Sequence, residues 1–309
     1  MSAPRLVVAG NLLVDDLVFA DGRTRMGEAG GAVLYAALAA SLWTEGLGCL
    51  SRVGRDYPDA ALLALRERGL DLGGVRTLGT SGVRTWLLYE GTQWRMVPRL
   101  GDVTHVDVSP APSDVPPEWL DAAAVHLAPM PLACQTALGA IWPDSTFLSL
   151  DPHVPIREDT LPLFAPLLSR VDALFVSEEE LLLAAPEVPP VDVLRRLRGG
   201  RLRYVAWKRG PRGGLLYDAR ADRLTPWRAR AETVVDPTGC GDAFAASFVT
   251  AILDGEDAER AVERGIVGAG FTLSGWGASA LLEADRAAAH QELERLRRGE
   301  GPAADGTRK

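Results

Sequence analysis

Short apolar runs that alternate with helical stretches are the feature of this sequence that most limits its fold. Such runs occur at Leu6–Ala9, Ala124–Leu127, Thr146–Leu150, Ala173–Val176 and Tyr204–Trp207. Each is too short to be a helix, and helical or proline-containing stretches separate them. Alternation of this kind predicts βαβ units and a doubly wound α/β fold, with a mostly parallel sheet and helices on both faces.

Helices and a hairpin complete the coarse prediction. The sequence predicts helices over Ala32–Leu42, Ala60–Arg68, Ala243–Leu253, Ala258–Leu273 and Leu281–Arg298. Residues 84–97 alternate as a hairpin that turns near Gly91-Thr92, and this hairpin could form a small β lid. Because no repeat or low-complexity linker divides the chain, we expect one domain over residues 1–298, with lid segments near 15–27 and 84–100. Residues 299–309 are expected to be a disordered tail.

Charge and cysteine usage narrow the class of protein. The formal net charge of -8 argues against binding to nucleic acid, which usually needs a concentrated basic surface. The three cysteines form no CxxC pair and no cluster with histidine, as in a reduced, cytoplasmic chain. The start of the chain does not resemble an export signal, and the longest apolar run, Ala29–Trp43, is too short to cross a membrane. We therefore expect cytoplasmic small-molecule chemistry.

The segment from Asp236 to Asp242 is the strongest candidate for a reactive site. It reads Asp-Pro-Thr-Gly-Cys-Gly-Asp and directly precedes an apolar helix. Helix N-termini carry N–H groups without intrahelical partners, which favour bound anions such as phosphate. Gly239 and Gly241 lack a Cβ, so the backbone could approach a phosphoryl group closely. On its own, however, Asp242 would more often be a helix cap than a catalytic group.

This loop is similar to the DTxGAGD signature of the ribokinase-like, or PfkB, carbohydrate kinases. Asp236, Thr238, Gly239, Gly241 and Asp242 match the signature, whereas Pro237 is a departure after Asp236 and Cys240 stands where alanine is usual. The resemblance implies that Asp242 is the general base and that the amides of Gly239, Cys240 and Gly241 form an anion hole. It also implies that Asp236 and Thr238 lie on the nucleotide side. No GxxxxGK[ST] phosphate loop is present, so a Walker-type fold is not expected.

Segments nearer the start resemble the substrate-binding part of the same family. Asp15, in the segment Gly10–Asp15, would bind substrate hydroxyls, and Asp16 is the weaker candidate. Gly30 and Gly31 match the family diglycine, where the chain passes close to the substrate. Tyr35 replaces the usual asparagine, which puts ribose-type recognition in doubt. Tyr35 could equally be a core residue of an apolar helix, just as Asp15 could be a solvated loop carboxylate.

Segments in the second half resemble the nucleotide-binding part. Ser177 and Glu180 match an NxxE motif, in which the glutamate helps to arrange Mg²⁺ through water, with serine in place of asparagine. An exposed acidic first helical turn is the alternative. Gly210 and Gly213 match the family's GxxG turn beside the nucleotide. By the same analogy, Ala269–Ala278 would border the adenine.

The lysine content of the chain draws attention to one more residue. Only Lys208 and Lys309 are lysines among the 33 basic residues. Lys208 could be a point charge that reaches the nucleotide phosphates, or a solvent-facing residue that survived in an arginine-rich composition.

The lid prediction includes four further candidates for substrate contact, namely Trp86, Trp94, Arg95 and Arg99. Lids exclude water, which would otherwise accept the phosphate. For any one of these residues, cross-strand pairing or a dimer contact is the favoured interpretation.

Taken together, the resemblance implies transfer of the γ-phosphate of ATP, bound with Mg²⁺, to a hydroxyl of a sugar or related polyol. A monovalent cation could also take part, and a homodimer could form through the lid. A nucleoside or myo-inositol kinase is the alternative within the family, and a non-catalytic ligand sensor on the same fold is the alternative from another functional class. A dinucleotide-dependent oxidoreductase is disfavoured because no GxGxxG follows the first strand.

Overall fold

The computed structural model describes residues 3–90, 93–99, 103–183, 187–230 and 233–301, with the backbone alone at 93 and 94. The strands within these residues are β1 (Leu6–Ala9), β2 (Leu13–Phe19), β3 (Thr24–Gly30), β4 (Leu47–Val53), β5 (Asp71–Thr77), β6 (Arg84–Glu90), β7 (Gln93–Pro98), β8 (Ala124–Leu127), β9 (Phe147–Leu150), β10 (Ala173–Ser177), β11 (Tyr204–Lys208), β12 (Gly214–Asp218) and β13 (Arg223–Trp227). The α-helices are α1 (Ala32–Ser41), α2 (Asp59–Glu67), α3 (His105–Val108), α4 (Leu132–Gly139), α5 (Leu161–Leu168), α6 (Pro190–Arg195), α7 (Cys240–Leu253), α8 (Ala258–Leu273), α9 (Ser279–Glu283) and α10 (Arg286–Arg297).

A large sheet forms the centre of the fold. Nine of the described strands lie in the order β13-β12-β11-β10-β9-β8-β1-β4-β5, and all pair in parallel except β12 and β13, which form an antiparallel edge. The predicted doubly wound α/β fold is therefore confirmed. Strands β1 and β8 are wholly buried, as expected for parallel strands that are covered on both faces.

Helix α7 is apolar almost all round because it lies inside the protein. It packs against both α1 and α8, and its residues from Ala243 to Ala251 are buried. Helix α1 is buried over nine of its ten residues for the same reason. A helix that is covered on every side needs no polar face. This burial holds the start of α7 rigidly beside the carboxyl ends of the sheet strands.

A small sheet covers that end of the molecule. Its strands lie in the order β3-β2-β6-β7, and β6 and β7 pair antiparallel as the hairpin prediction requires; the predicted turn at Gly91-Thr92 lies outside the described residues. Side chains alternate between the two faces of a strand. Asp15 and Leu17 therefore share the buried inner face, whereas Asp16 lies on the other side with Trp86, its register partner.

The predicted helix over Leu281–Arg298 is wrong as a single element. Helix α9 ends at Glu283, and α10 begins after Asp285, whose carboxylate accepts a hydrogen bond of 2.8 Å from the N–H of Ala288. An aspartate N-cap of this kind starts a new helix and interrupts the preceding one.

The predicted tail follows α10. Of the predicted tail, residues 299–301 are described, and Arg295 donates to the carbonyl of Gly301 at 2.9 Å. Residues 302–309 lie outside the described residues. Within the part of the chain that the structure describes, no helix combines the length and the apolarity that a bilayer crossing requires.

Arg68 should contribute strongly to the stability of the C-terminal region. Its guanidinium donates hydrogen bonds to the carbonyls of Leu281, Leu282 and Ala284 at 2.8, 2.6 and 2.6 Å, where α9 ends. Since hydrogen bonds from a charged donor are strong, Arg68→Ala should lower the free energy of unfolding by about 1.5–3 kcal/mol in urea titrations. The exposed Arg66 on the same helix is the control, and Arg66→Ala should change it by less than about 0.5 kcal/mol. Equal effects of the two variants would contradict this role.

Candidate active site

Lys208 lies among carboxylates at the carboxyl ends of three neighbouring strands. It is the last residue of β11, and its Nζ is 2.7 Å from the Oδ2 of Asp151, which directly follows β9. Strand β10 lies between them and is parallel to both. The side chain of Lys208 is only 16% exposed. The solvent-facing interpretation of Lys208 is therefore wrong.

The charge of Lys208 is maintained by its neighbours. Burial alone would lower the pKa of the ammonium group, but attraction to Asp151, Glu180 and Asp242 raises the pKa above its ordinary value. Lys208 thus stays protonated at neutral pH. A cation held in this way can face an incoming anion without losing its proton.

The loop from Asp236 to Asp242 turns directly into α7. Gly239 is the N-cap residue with φ +75°, so the helix starts at Cys240, and Asp242 is its third residue rather than its cap. The N–H of Cys240 donates to the carbonyl of Pro237 over 3.3 Å. A Cβ on Gly241 would lie 3.1 Å from Nζ of Lys208, so this glycine brings the helix start close to the ammonium group.

Asp242 has the electrostatic environment of a base that works near neutrality. Burial raises the pKa of its carboxyl to about 6, while Lys208 lowers it and the charge of Glu180 raises it. A proton acceptor is most effective when its pKa lies near the working pH.

Asp236 holds the loop in place. Its Oδ1 accepts hydrogen bonds from the N–H and the Oγ1 of Thr238 at 2.9 and 2.6 Å, and its Oδ2 accepts one from the N–H of Gly277 at 2.8 Å. The side chain is fully buried. Asp236 therefore joins the loop to the segment Ala269–Ala278, the region predicted to border the adenine.

Tyr35 lies directly beneath the loop. A Cβ on Gly239 would fall 2.1 Å from the Cγ of Tyr35, so the loop backbone rests on the aromatic ring. Tyr35 is only 2% exposed and belongs to the main core. The alternative of a core residue is the better description, and this ring has no free face on which a base could stack.

Asp15 and the diglycine meet as the sequence predicts. Gly31 donates a backbone hydrogen bond to the Asp15 carboxylate, and a Cβ on Gly30 would lie 1.8 Å from its Oδ2. Burial raises the pKa of Asp15 to about 7; the bond from Gly31 opposes this, and the charges of Asp236, Asp16 and Asp242 add to it. Asp15 is therefore no solvated loop carboxylate.

Asp16 has a different role, on the other face of the small sheet. Arg84 donates to both of its oxygens at 2.7 and 2.6 Å, and Arg99 contacts it at 3.2 Å. The hydrogen bonds from Arg84 lower the pKa of Asp16, although burial opposes them. Arg99 is thus occupied in an ion pair.

Two of the other lid candidates, Trp86 and Arg95, are not brought to Asp15. Trp86 and Arg95 alternate onto the outer face, where Trp86 is 38% exposed and Arg95 pairs with Glu90 at 3.5 Å. The side chain of Trp94 lies outside the described residues.

Ser177 and Glu180 form a reciprocal pair. The N–H of Ser177 donates to the Oε2 of Glu180 at 2.7 Å, and the N–H of Glu180 donates to the Oγ of Ser177 at 3.2 Å. Residues 178–183 form turns and a single bridge at Leu181. The alternative of an acidic helical turn is therefore wrong for these residues, and the pair orients Glu180 toward Lys208.

The predicted GxxG turn joins β11 to β12. It is a short 3₁₀ turn at Gly210–Arg212, followed by Gly213 with φ +79°. Arg209 and Arg212 at this turn both pair with Glu178, which ties the turn to the Ser177–Glu180 segment.

The residues fit a nucleotide phosphate with its metal. Lys208 supplies the cation, and the first turn of α7 adds the N–H groups of Gly241 and Asp242, for which a helix start offers no intrahelical carbonyl. No group of three or more metal-ligating side chains occurs among the residues described. Mg²⁺ at phosphate sites usually keeps several waters and takes only one or two carboxylates, so Glu180 near Lys208 suffices for such a site.

Sequence reasoning missed Asp151 and three aromatic residues of the site region, namely Phe19, Tyr89 and Trp276. Asp151 directly follows a predicted strand, and the rule that ligands bind at carboxyl strand ends could have identified it. Phe19 has the same strand parity as Asp15, which places it on the inner face. No local signal in the sequence places Trp276 beside it.

Comparison with known proteins identifies the family. The sequence profile of the pfkB family carbohydrate kinases matches residues 17–285. This chain belongs to the pfkB family of carbohydrate kinases and is a phosphotransferase. The prediction made from the loop and its companion motifs is thereby confirmed at the level of family and reaction class.

Individual relatives agree with this assignment. The chain is 30% identical to a cytidine kinase from Thermococcus kodakarensis over 276 residues, which cover 88% of this chain and 97% of that protein. An Escherichia coli protein described provisionally as a ribokinase II, solved with ATP and Mg²⁺, matches with a TM-score of 0.74 at 19% identity, covering 96% of this chain and 100% of that one. A Burkholderia thailandensis nucleoside kinase, solved with inosine, matches with a TM-score of 0.75 at 18% identity, covering 97% and 100%. Both structures have the same fold as this chain.

The adjacent residues Asp15 and Asp16 should affect stability in opposite directions. Since the pKa of Asp15 rises on folding from 3.8 to about 7, its folded state binds the proton more tightly, and stability falls as the pH rises through that window. Asp15→Asn should therefore raise the Tm by at least about 2–4 °C at pH 8, and by clearly less at pH 5, where the folded carboxyl still holds its proton.

Asp16→Asn is the matched control for this experiment. The pKa of Asp16 is lowered on folding, so its ion pair stabilises the protein above its unfolded pKa and is lost in acid. Asp16→Asn should lower the Tm at pH 8, because it leaves Arg84 without its buried partner. Thermal unfolding followed by circular dichroism tests both variants, and shifts of the same sign at pH 8 would contradict the assignment.

Proposed function

We propose that this chain is an ATP-dependent nucleoside kinase, in which Asp242 removes the proton from an acceptor hydroxyl. The observation that carries the proposal is the position of Asp242 in the first turn of α7, within electrostatic reach of both Lys208 and Asp15. This carboxylate interacts electrostatically with a cation suited to phosphates and with a carboxylate suited to hydroxyl groups. Phosphoryl transfer needs this arrangement of positioned base and stabilised charge.

On the acceptor side, Asp15 and Asp242 contact different hydroxyl groups of the substrate. Asp15 accepts a hydrogen bond from one substrate hydroxyl, while the amides of the Gly30-Gly31 corner limit the space around it. Asp242 takes the proton of the reacting hydroxyl as the new O–P bond forms. Burial of Asp15 and partial burial of Asp242 make their hydrogen bonds stronger than they would be in water.

On the phosphate side, Lys208 and the start of α7 receive the transferring group. The N–H groups of Gly241 and Asp242 lie in the first helical turn, where anions are favoured. Glu180, oriented by Ser177, would hold a hydrated Mg²⁺, which neutralises phosphate charge when bound. Asp236 and Thr238 keep the loop in position and act through it.

A nucleoside is the favoured acceptor for two reasons. The cytidine kinase relative is matched along 97% of its length. In addition, Tyr89 lies on the inner face of the small sheet with Phe19 stacked on one face of its ring, and the other face of such a ring packs well on a base. The sugar or polyol kinase expected from the sequence is the second candidate, because hydroxyl binding by Asp15 serves either acceptor.

Several finer expectations stay predictions. They are the use of a monovalent cation, an adenine site along Ala269–Ala278, and the roles of Gly210 and Gly213 at the nucleotide. Dimerisation through the small sheet also stays a prediction; its outer face carries the exposed apolar side chains of Met26, Trp86 and Val97.

A panel of acceptors tests the proposed function directly. ATP consumption by the full chain with Mg²⁺ should be fastest with cytidine or another nucleoside, and slower with ribose, fructose or myo-inositol. Faster turnover of a free sugar would favour the second candidate. Tight binding of an acceptor without turnover would instead indicate the ligand sensor.

The base assignment predicts a large and selective effect of Asp242→Asn. This variant should lower kcat by about a hundredfold or more and leave ATP affinity nearly unchanged, because the amide cannot accept the proton. In the wild type, kcat/KM should fall as the pH drops below about 6, where the Asp242 carboxyl gains a proton.

Asp257→Asn is the matched control. Asp257 is the N-cap of α8, where its Oδ1 accepts a 2.8 Å hydrogen bond from the N–H of Arg260, and asparagine caps helices equally well. Near-wild-type kcat in Asp242→Asn, or an equal loss in Asp257→Asn, would refute the assignment of Asp242 as base.

A further inference from the structure

The hydroxyl of Tyr89 connects the small sheet to the reactive loop. Tyr89 lies on β6, and its hydroxyl is 2.5 Å from the Oγ1 of Thr238. Because Thr238 donates its own proton to Oδ1 of Asp236, the Tyr89 hydroxyl is the donor to Thr238. Burial raises the pKa of Tyr89, which keeps this donor protonated.

A second contact runs from the same sheet to the opposite side of the loop. Phe19, at the end of β2, stacks on Tyr89 with ring centroids 4.8 Å apart. Phe19 also meets the ring of Trp276 edge-on, again with a centroid distance of 4.8 Å. Trp276 immediately precedes Gly277, whose N–H donates to Asp236.

Together these contacts form a closed series, a circuit of interacting residues that starts and ends at Tyr89. From Tyr89 it runs through Thr238 and Asp236 to the Gly277 backbone, and from there through Trp276 and Phe19 back to Tyr89. One part of the circuit is polar and one part is aromatic. Each part connects the small sheet to a segment beside the start of α7: the polar part reaches Thr238, and the aromatic part reaches Trp276.

Two arginines strengthen the aromatic part. The guanidinium carbons of Arg23 and Arg25, near the β2–β3 turn, lie 4.9 and 5.5 Å from the ring centroid of Trp276. Cation–π contacts of this kind favour the small sheet resting on Trp276. The sheet is thus held against the nucleotide side at two independent places.

We propose that the hydroxyl of Tyr89 is a positioning group that couples closure of the small sheet over the acceptor to the placement of the Thr238–Gly241 loop. The proposal rests on the kinase activity proposed above. When the sheet lies against the loop, the hydrogen bond fixes Thr238, and through it the backbone that receives the phosphoryl group. A closed sheet also keeps out water, which competes with the acceptor hydroxyl.

Loss of this hydroxyl has consequences that a simple packing role would not produce. Packing of the Tyr89 ring on Phe19 survives in Tyr89→Phe, so the stability of the fold should be retained. Loop placement, in contrast, would be relaxed, and transfer to the acceptor would slow while ATP binding stays intact. Hydrolysis of ATP by water would then account for a larger fraction of turnover.

A double-mutant cycle tests the coupling. Wild type, Tyr89→Phe, Thr238→Val and the double variant are assayed with ATP, Mg²⁺ and cytidine, or with the acceptor of the panel that turns over fastest. Tyr89→Phe should lower kcat for transfer about three- to tenfold, change the KM for ATP less than about twofold, and raise the ratio of ATP hydrolysis to transfer. Because the two residues act through one bond, the double variant should be no slower than Thr238→Val alone.

Tyr217→Phe is the matched control. It removes a phenol hydroxyl that donates to Asp222 at 2.7 Å, at the far edge of the large sheet. It should leave kcat and the hydrolysis ratio unchanged, and thermal unfolding of all variants checks that they are folded.

The experiment distinguishes failure of the Tyr89 coupling from failure of the proposed kinase activity. The coupling would be overturned if Tyr89→Phe kept the wild-type kcat and the wild-type ratio of ATP hydrolysis to transfer. It would also be overturned if the fold-losses in kcat of the two single variants multiplied in the double variant. Either result would leave the kinase activity in place. Absence of transfer to every acceptor by the wild type would instead overturn the proposed function, and the coupling with it.

Discussion

A single ammonium group makes the arrangement of charges at this end of the sheet feasible. Lys208 lies close to Asp151 and within electrostatic reach of Glu180 and Asp242, which come from neighbouring strand ends and from the start of α7. Buried carboxylates are costly unless a cation compensates them, and removal of one partner leaves an uncompensated charge. Burial raises the pKa of both Asp151 and Asp242, and the charge of Lys208 lowers both; without Lys208 the two pKa values would rise further.

The reactive loop depends on a different kind of support. Tyr35 fills the space below Gly239, and Asp236 ties Thr238 to Gly277 from the side. The Tyr35 ring below the loop and the hydrogen bonds of Asp236 beside it together hold the start of α7 in a fixed position. Pre-organisation of this sort is how an active site stabilises charge without having to rearrange during the reaction.

In the small sheet, successive side chains of a strand point to opposite faces, so adjacent residues make different contacts. Asp15 and Asp16 are adjacent, yet one faces the reactive loop and the other forms an ion pair with Arg84 on the outer face. The same parity places Phe19 and Tyr89 on the inner face and Trp86 on the outer one. Side-chain alternation in a strand therefore decides which residues of the small sheet face Asp15, and spacing in the sequence predicts it once the strands are recognised.

The sequence by itself determined the α/β fold, the family and the identity of the loop. Buried strands appear as short apolar runs, and the chemistry of phosphoryl transfer needs glycines and a carboxylate at a helix start, so both leave local patterns. It also singled out Asp15 and Glu180 through the spacing of their motifs, and Lys208 through the scarcity of lysine in the chain.

Only the tertiary structure decided what each of these groups faces. Lys208 turned out to be buried beside Asp151, Tyr35 to be the floor of the loop, and Trp276 to meet Phe19 from a segment more than 200 positions away. These contacts join residues that are remote in the chain, and no local pattern encodes them. Helix packing and strand order bring them together, and a contact of that kind is a property of the folded chain alone.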